Sequence, residues 1–558
     1  AIAVLSLGLL HILTNGPASS NGIISVAAFA PPSTSISTSS SRGASVQHAA
    51  SLTSTAPSSK SSTDDDALLF RQAATVGIVT AAMGHLYGLI LDRSVKGVWV
   101  GLPNLLLERN LPLGPSYIAV TCATGGLLMG LLSHKLKPAH VVAEFVSVLS
   151  LPDNNVSLRL PKLMPALPNL LLLSLVTSTF GFSVGPEAPM VCAGGLVGVA
   201  MARRWYYQED NNNTVNDDDA SDCQRQRRAA EIMTYSGAAG ALTAFIGIPL
   251  AGPIFALELT RASAGMAPVA KDALGPAIAA SAAALVLIRG ILAPNSSIGG
   301  HFTYQSVGVL SGRAAVLTSL VCGAGGAVLG TLFHKLVHLL KGILWREKSV
   351  SSEVMDGGKK NESLSFLFNR EVLVKTIIGI AVGLLSMHYP ATMFWGEGSL
   401  QCVVDGHQTA FAATKHGLSS VLTGAARVNP NLPFQSAWAA AQIGCVKFLS
   451  IALACAGKFP GGIIFPLFFA AAPIAHAALA LLSSFLPASV SPVAVMSLMA
   501  ATQASVTRTP LATIFMLALS SSSATEVSKM LPAVILSSYI GVWLSRYLSK
   551  ESYFTYSK

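Results

Sequence analysis

The chain has 558 residues, of which 51% are hydrophobic and only 11% charged, with a mean hydropathy of +0.57. Soluble domains carry about 25% charged residues, so the composition argues against a water-soluble globular enzyme and predicts an all-α polytopic membrane protein. The 36 Lys and Arg against 26 Asp and Glu leave a formal charge of +10. The positive residues stand in pairs such as Arg203–Arg204 and Arg227–Arg228, in hydrophilic breaks between apolar runs. That placement fits topology-setting charges at the headgroups of a lipid bilayer, with a basic funnel for an anion as the alternative. No nucleic-acid partner is expected. Seven cysteines without a CxxC pair predict neither a disulfide framework nor a metal site, and nothing in the sequence calls for a cofactor.

In chain order, residues 1–63 come first and contain no acidic residue. A short apolar run, Ile2 to Leu13, leads through Ala28-Phe29-Ala30-Pro31 into a Ser/Thr-rich tract with Arg42 and Lys60. Acid-poor, Ser-rich and basic is the composition of a targeting peptide, and the arrangement resembles the bipartite presequences of proteins sent to secondary plastids, with an ordinary disordered Ser-rich tail as the alternative. Hydrophobic segments follow at 70–92, 114–134, 167–184, 187–202, 231–260, 273–293, 312–342, 371–388, 436–456, 461–484, 490–506 and 509–548. Several fall short of the roughly 20 residues a full span needs, and several are broken by Gly or Pro. Two hydrophilic stretches interrupt them, 208–228 and 347–370. The predicted organisation is a first membrane half at 64–345 that contains the 208–228 loop, a linker at 346–370, and a second half at 371–558.

The halves echo one another. Pro249-Leu250-Ala251-Gly252-Pro253-Ile254-Phe255 resembles Pro510-Leu511-Ala512-Thr513-Ile514-Phe515, and Gly185-Pro186-Glu187-Ala188-Pro189 shares a G-x-x-x-P frame with Gly462-Ile463-Ile464-Phe465-Pro466. Short segments broken by Gly and Pro at corresponding places in two halves point to a midplane transport site built from discontinuous helices. Around Gly185 the backbone breaks and a helix starts near Ala188. Such a terminus presents unpaired N–H groups and a positive dipole end, which attract an anion. Glu187 sits at that terminus, where a carboxylate could occupy the anion position itself and leave when protonated or displaced. Its alternative role is that of a capping glutamate. The second frame has the same form without a carboxylate, so an anion there would be held by backbone donors alone.

These motifs, in this order, resemble the CLC chloride channel and transporter family. Gly185–Gly198 looks like its G-[KR]-E-G-P motif and following helix, and Ala244–Leu259 like its helix with a Pro-Leu-Ala-Gly core. Gly461–Pro466 looks like its G-x-F-x-P motif, and Arg508-Thr509-Pro510-Leu511 like its Arg-x-Pro-Leu helix start. The resemblance covers residues 70–553 and implies two inverted-topology halves of broken, tilted helices, a homodimer with one pore per subunit, and voltage-gated transport of chloride or a similar small anion. By position, Glu187 corresponds to the gate. Gly185, Pro186, Ala188, Gly462, Ile463, Ile464 and Phe465 correspond to anion-site positions, and Tyr553 falls near the pore tyrosine, with Tyr556 close by.

Three departures carry consequences. The basic residue before the gate is Pro186 here and the following Gly is Ala188. The serine-bearing anion motif expected near 134–138 reads His134-Lys135-Leu136-Lys137-Pro138, so Lys135 or Lys137 would supply charge or snorkel to the interface. The proton-handling acid of the family's exchangers is replaced by Leu259, beside Glu258, whose side chain points about 100° away around a helix and is expected to make a structural polar contact. Leu259 favours channel-like anion conduction, with proton-coupled chloride or nitrate exchange as the alternative and cation or metabolite transport behind it. The chain stops soon after Tyr553, as in relatives without the cytoplasmic domain pair, and a plastid membrane is the expected location. Gly181-Phe182-Ser183-Val184-Gly185 also spells a hydrolase elbow, but a Leu-rich membrane helix precedes it and no enzyme is expected.

Overall fold

The computed structural model describes residues 60–110, 114–136, 145, 159–206, 219–264, 270–294, 303, 307, 310–345, 369–407, 433–484, 489–521, 524–549 and 553. Residues 1–59 of the targeting segment, residues 346–368 of the linker, Lys137, Pro138 and Tyr556 lie outside them. The chain divides into residues 1–67 and 68–558. Of the first unit only residues 60–67, the opening turns of a helix, are described; the account below concerns the second.

The described residues form helices and connecting loops. In chain order they are α1 (Lys60–Lys96), α2 (Leu102–Glu108), α3 (Ser116–Leu136), α4 (Leu167–Thr179), α5 (Glu187–Tyr206), α6 (Asp219–Ile246), α7 (Ala251–Ala264) and α8 (Ala270–Leu287). The second half supplies α9 (Gly312–Leu344), α10 (Arg370–His388), α11 (Leu400–Val404), α12 (Ala437–Ala456), α13 (Ile464–Leu481), α14 (Val490–Thr507), α15 (Pro510–Ser520) and α16 (Ala524–Leu548). Among the described residues, ten stretches are long and apolar enough to cross a membrane. Their outward residues include Val286 and Val321, each 68% exposed, and Ile291 at 70%, a surface that water would penalise and lipid tails accept. This is an all-α polytopic membrane fold.

Two predicted segments are each a pair of helices. The apolar run at 231–260 is cut between α6 and α7, where Gly247 takes a left-handed φ of +77° and Pro249 cannot continue the hydrogen-bond ladder. The run at 509–548 is cut at Ser521, which is extended. The hydrophilic stretch at 208–228 is also shorter than its composition suggests, because α6 already begins at Asp219. Charged residues at its start extend the helix beyond its apolar part.

Small residues let the helices touch backbone to backbone. A Cβ at Gly194 or Gly198 of α5 would strike the main chain of Gly237 or Met233 on α6, and Gly126 of α3 meets Gly379 of α10 in the same way. The two echoed Pro-Leu frames are also joined. Leu511 N–H donates to Glu258 Oε1 (3.1 Å) and Ala512 N–H to Glu258 Oε2 (2.7 Å), so a carboxylate on α7 satisfies the first amides of α15. This is the polar contact expected of Glu258. Glu258→Ala would strip those donors of a charged acceptor, a loss of about 1.5–3 kcal/mol. The expected result is a lower melting temperature in detergent with an unaltered pH profile of transport; an unchanged melt would show the cap to be idle.

Candidate functional site

The site begins where α4 ends. Gly181 turns left-handed, with φ +83°, and the chain then runs through Ser183 to Pro186 before α5 starts at Glu187. The Pro186 carbonyl accepts from Met190 N–H at 2.9 Å, so the helix is properly initiated. Pro189, without an N–H, leaves Glu187 and Ala188 as the amides of the first turn. The other half repeats the device. Leu467 N–H donates to the Ile463 carbonyl (3.1 Å), α13 starts at Ile464, and Pro466 leaves Ile464 and Phe465 as its leading amides.

These two helix starts, 277 residues apart in sequence, are brought together. Gly185 N–H donates to the Gly462 carbonyl (2.9 Å), and Gly462 N–H donates to the Gly185 carbonyl (2.5 Å). The reciprocal pair is an isolated two-residue antiparallel bridge between the halves. Glu187 is fully buried against it. A Cβ at Gly185 or Gly462 would overlap the Glu187 carboxylate, and one at Gly462 would also lie 3.1 Å from Ala188 N. Glycine at both positions is therefore what makes room for the carboxylate. Neither carboxylate oxygen has a hydrogen-bond partner on another described residue.

Other polar groups surround this point. Tyr87 of α1 is buried, its hydroxyl 3.0 Å from Ser174 Oγ on α4. Lys447 of α12 is fully buried. Its ammonium donates to the carbonyls of Phe394 (2.5 Å) and Thr392 (2.9 Å) and lies 3.4 Å from Ser183 Oγ. It also sits 5.0 Å from the centroid of the Phe469 ring. The Ser183 hydroxyl donates to the same Thr392 carbonyl at 2.7 Å. Among the described residues the Ser183 hydroxyl meets a carbonyl and an ammonium, neither of which is a base that could activate it.

Of the residues singled out in the sequence, Gly185, Pro186, Glu187, Ala188 and Gly462 to Phe465 meet at this bridge. Tyr553 is placed elsewhere: its hydroxyl donates to Cys455 Sγ (3.2 Å), and its ring lies 6.2 Å from Phe333. It shares a polar cleft with Thr331, His334, Ser505 and Arg508. Leu259 lies in α7, but its side chain is outside the described part. Lys135 is exposed, His134 Nδ1 pairs with Asn369 Nδ2 (2.9 Å), and the neighbouring Ser133 hydroxyl accepts from buried Lys375 (2.5 Å). Among the described residues no His, Cys, Asp or Glu cluster could hold a metal ion. Sequence reasoning passed over Lys447 and Tyr87, although a lone lysine in an apolar 20-residue helix is itself a signal.

Two halves of broken helices, each turning a helix start toward one buried point beside a carboxylate, have the arrangement by which membrane transport proteins place a site between two repeats. A sequence profile of the voltage-gated chloride channel family matches residues 125–546, and the chain belongs to that family, the CLC proteins. No curated protein sequence matches the chain. Among solved structures, a slow cyanobacterial Cl-/H+ antiporter is similar with a TM-score of 0.62 at 15% identity, over 87% of this chain and 96% of that one. A eukaryotic CLC transporter gives 0.60 at 15% identity, over 87% of this chain and 72% of that one. A CLC-type fluoride/proton antiporter gives 0.57 at 18% identity, over 88% and 97%. At these identities the likeness concerns the fold.

Proposed function

We propose that the protein passes chloride or a similar small anion across its membrane through the Gly185–Gly462 junction, with Glu187 as the gate. One observation carries this reading: a fully buried carboxylate, without a hydrogen bond from another described residue, at the point where two helix starts converge. Amides at helix starts attract negative charge, and a carboxylate there competes with a mobile anion for the same donors. Ile463, Ile464 and Phe465 then contribute backbone rather than side chains, and Tyr553 borders the pathway at the far end of α12. The copies would pair as a homodimer, and the acid-free N-terminal segment supports a plastid membrane as the destination.

Passive, channel-like conduction is the reading favoured by Leu259, since leucine cannot carry a proton. Proton-coupled exchange is the second reading, favoured by the antiporters among the structural neighbours. The two separate in liposomes holding a chloride gradient, no pH gradient, and a potential fixed by potassium and valinomycin. Channel conduction is expected to release chloride with no proton movement. Uphill proton movement that disappears in Glu187→Ala would overturn the channel reading and establish exchange.

A further inference from the structure

The loop that carries the chain from α12 into the junction starts on a residue that is costly where it stands. At the end of α12, Gly457 N–H donates to the Leu453 carbonyl (2.9 Å) and Phe459 N–H to the Ala454 carbonyl (3.1 Å). Lys458 between them takes a left-handed φ of +59°. Helices that end this way favour glycine at such a position, because a Cβ there crowds the following carbonyl. The lysine is exposed, and its ammonium lies 4.1 Å from the centroid of the Trp345 ring at the end of α9. Trp345 is in turn fixed by its indole N–H, which donates to the Ala456 carbonyl at 2.8 Å.

Other basic groups gather around this end of α9. The Arg370 guanidinium donates to the Leu344 carbonyl through Nε (3.3 Å) and Nη2 (3.0 Å). Lys341 stands one turn before Trp345, its carbonyl accepting from Trp345 N–H at 2.9 Å. Glu371, the acid that follows Arg370, is held by buried Lys375 at 3.0 Å. Among the described residues the Lys458 ammonium meets no carboxylate; it rests on an aromatic face, which steadies the charge without cancelling it. The same ends stand at the rim of the apolar belt. Towards them α9 arrives with Ile343 64% exposed, and from them α10 departs with Leu373 51% exposed.

We propose that the ends of α9, α10 and α12 form a binding site for an anionic phospholipid, its phosphodiester headgroup on Lys458 and Arg370 and its acyl chains along the outward side chains of α9 and α10. Charge complementarity selects this occupant. At the edge of a bilayer the anions that also carry an apolar tail are acidic lipids, and basic pockets between membrane helices take their headgroups. A lysine that only offset the dipole of α12 would lie on that helix's own last carbonyls; Lys458 instead reaches across to α9. It also stands four residues before Gly462, so a bound headgroup would fasten the loop that enters the junction. The site is separate from the gate and does not depend on it.

The test is lipid binding by the purified full chain in detergent, read by native mass spectrometry and by melting temperature. The probes are dioleoylphosphatidylglycerol, the zwitterionic dioleoylphosphatidylcholine, and inorganic phosphate. Wild type is expected to retain phosphatidylglycerol in preference to phosphatidylcholine, to melt higher with it, and to show no response to inorganic phosphate at the same concentration. Lys458→Gly should bind phosphatidylglycerol about fivefold more weakly, the contribution of one basic group at a membrane surface. Without lipid it should melt no lower than wild type, since glycine suits the left-handed position. Lys458→Arg keeps the affinity, and Lys458→Gln, which retains a side chain on the loop, loses it as the glycine variant does. Wild-type affinity in both Lys458→Gly and Lys458→Gln, or equal retention of the two lipids by wild type, would overturn the site. Stabilisation by inorganic phosphate equal to that by phosphatidylglycerol would overturn the lipid as its occupant.

Discussion

Glu187→Gln is expected to abolish most of the pH dependence of anion flux. On the proposed gate reading, the ionised carboxylate occupies the junction and excludes anions, and protonation weakens its hold, so flux should rise as pH falls. The ionised-to-neutral ratio of one carboxyl changes about tenfold per pH unit, and across the titrating range flux should follow it. Glutamine has the same shape but no charge to lose. Its flux at pH 7.5 should approach its own value at pH 4.5, where the wild type should differ by about tenfold or more. Radioactive chloride uptake at the two pH values is sufficient. Equal profiles in wild type and variant would return Glu187 to the role of an ordinary first-turn glutamate stabilising α5.

The second large effect belongs to Lys447. Its ammonium serves three successive buried carbonyls, those of Thr392 (2.9 Å), Met393 (3.5 Å) and Phe394 (2.5 Å). Lys447→Met keeps length and apolar stem but leaves the Met393 and Phe394 carbonyls without this donor and the Thr392 carbonyl with Ser183 alone. At about 1–3 kcal/mol for a stranded buried group, the variant loses a sizeable part of a typical stability of about 5–15 kcal/mol. The expected outcome is several-fold less monodisperse protein in detergent and a lower melting temperature. Ser183→Ala should cost less, because Lys447 still serves Thr392. A Lys447→Met variant that purifies and melts like wild type would show that the loop holds itself in place without the ammonium.

Much of this architecture could be read from the sequence. The apolar segments became helices, and the two G-x-x-x-P frames proved to be partners because glycine and proline leave a recognisable break in an otherwise continuous apolar run. The break at Pro249 was harder, because the apolar pattern runs through it and the left-handed backbone at Gly247 makes the turn. The break at Ser521 did leave a mark, the serine run 520–523, which the segment 509–548 was drawn across. The charged neighbours of the junction were not legible. Lys447 meets residues 53 to 55 positions earlier and Ser183, 264 positions away, and no local periodicity encodes such pairings. Tyr553 was chosen by position alone, and its place against Cys455 at the end of α12 is a pairing 98 residues apart in sequence that no local pattern encodes.

The bridge between Gly185 and Gly462 also has a bearing on synthesis. A ribosome adding about 5–20 residues per second takes roughly 14 to 55 s to travel the 277 residues from one glycine to the other. During that interval the newborn first half lies in the bilayer with the N–H and C=O of Gly185 unmatched and the Glu187 carboxylate uncovered on one side. In hydrocarbon such groups seek any donor or acceptor within reach. The nascent protein therefore passes through a stage that needs shielding by the insertion machinery or by a neighbouring chain, and it becomes self-sufficient only when the second half arrives to complete the pair.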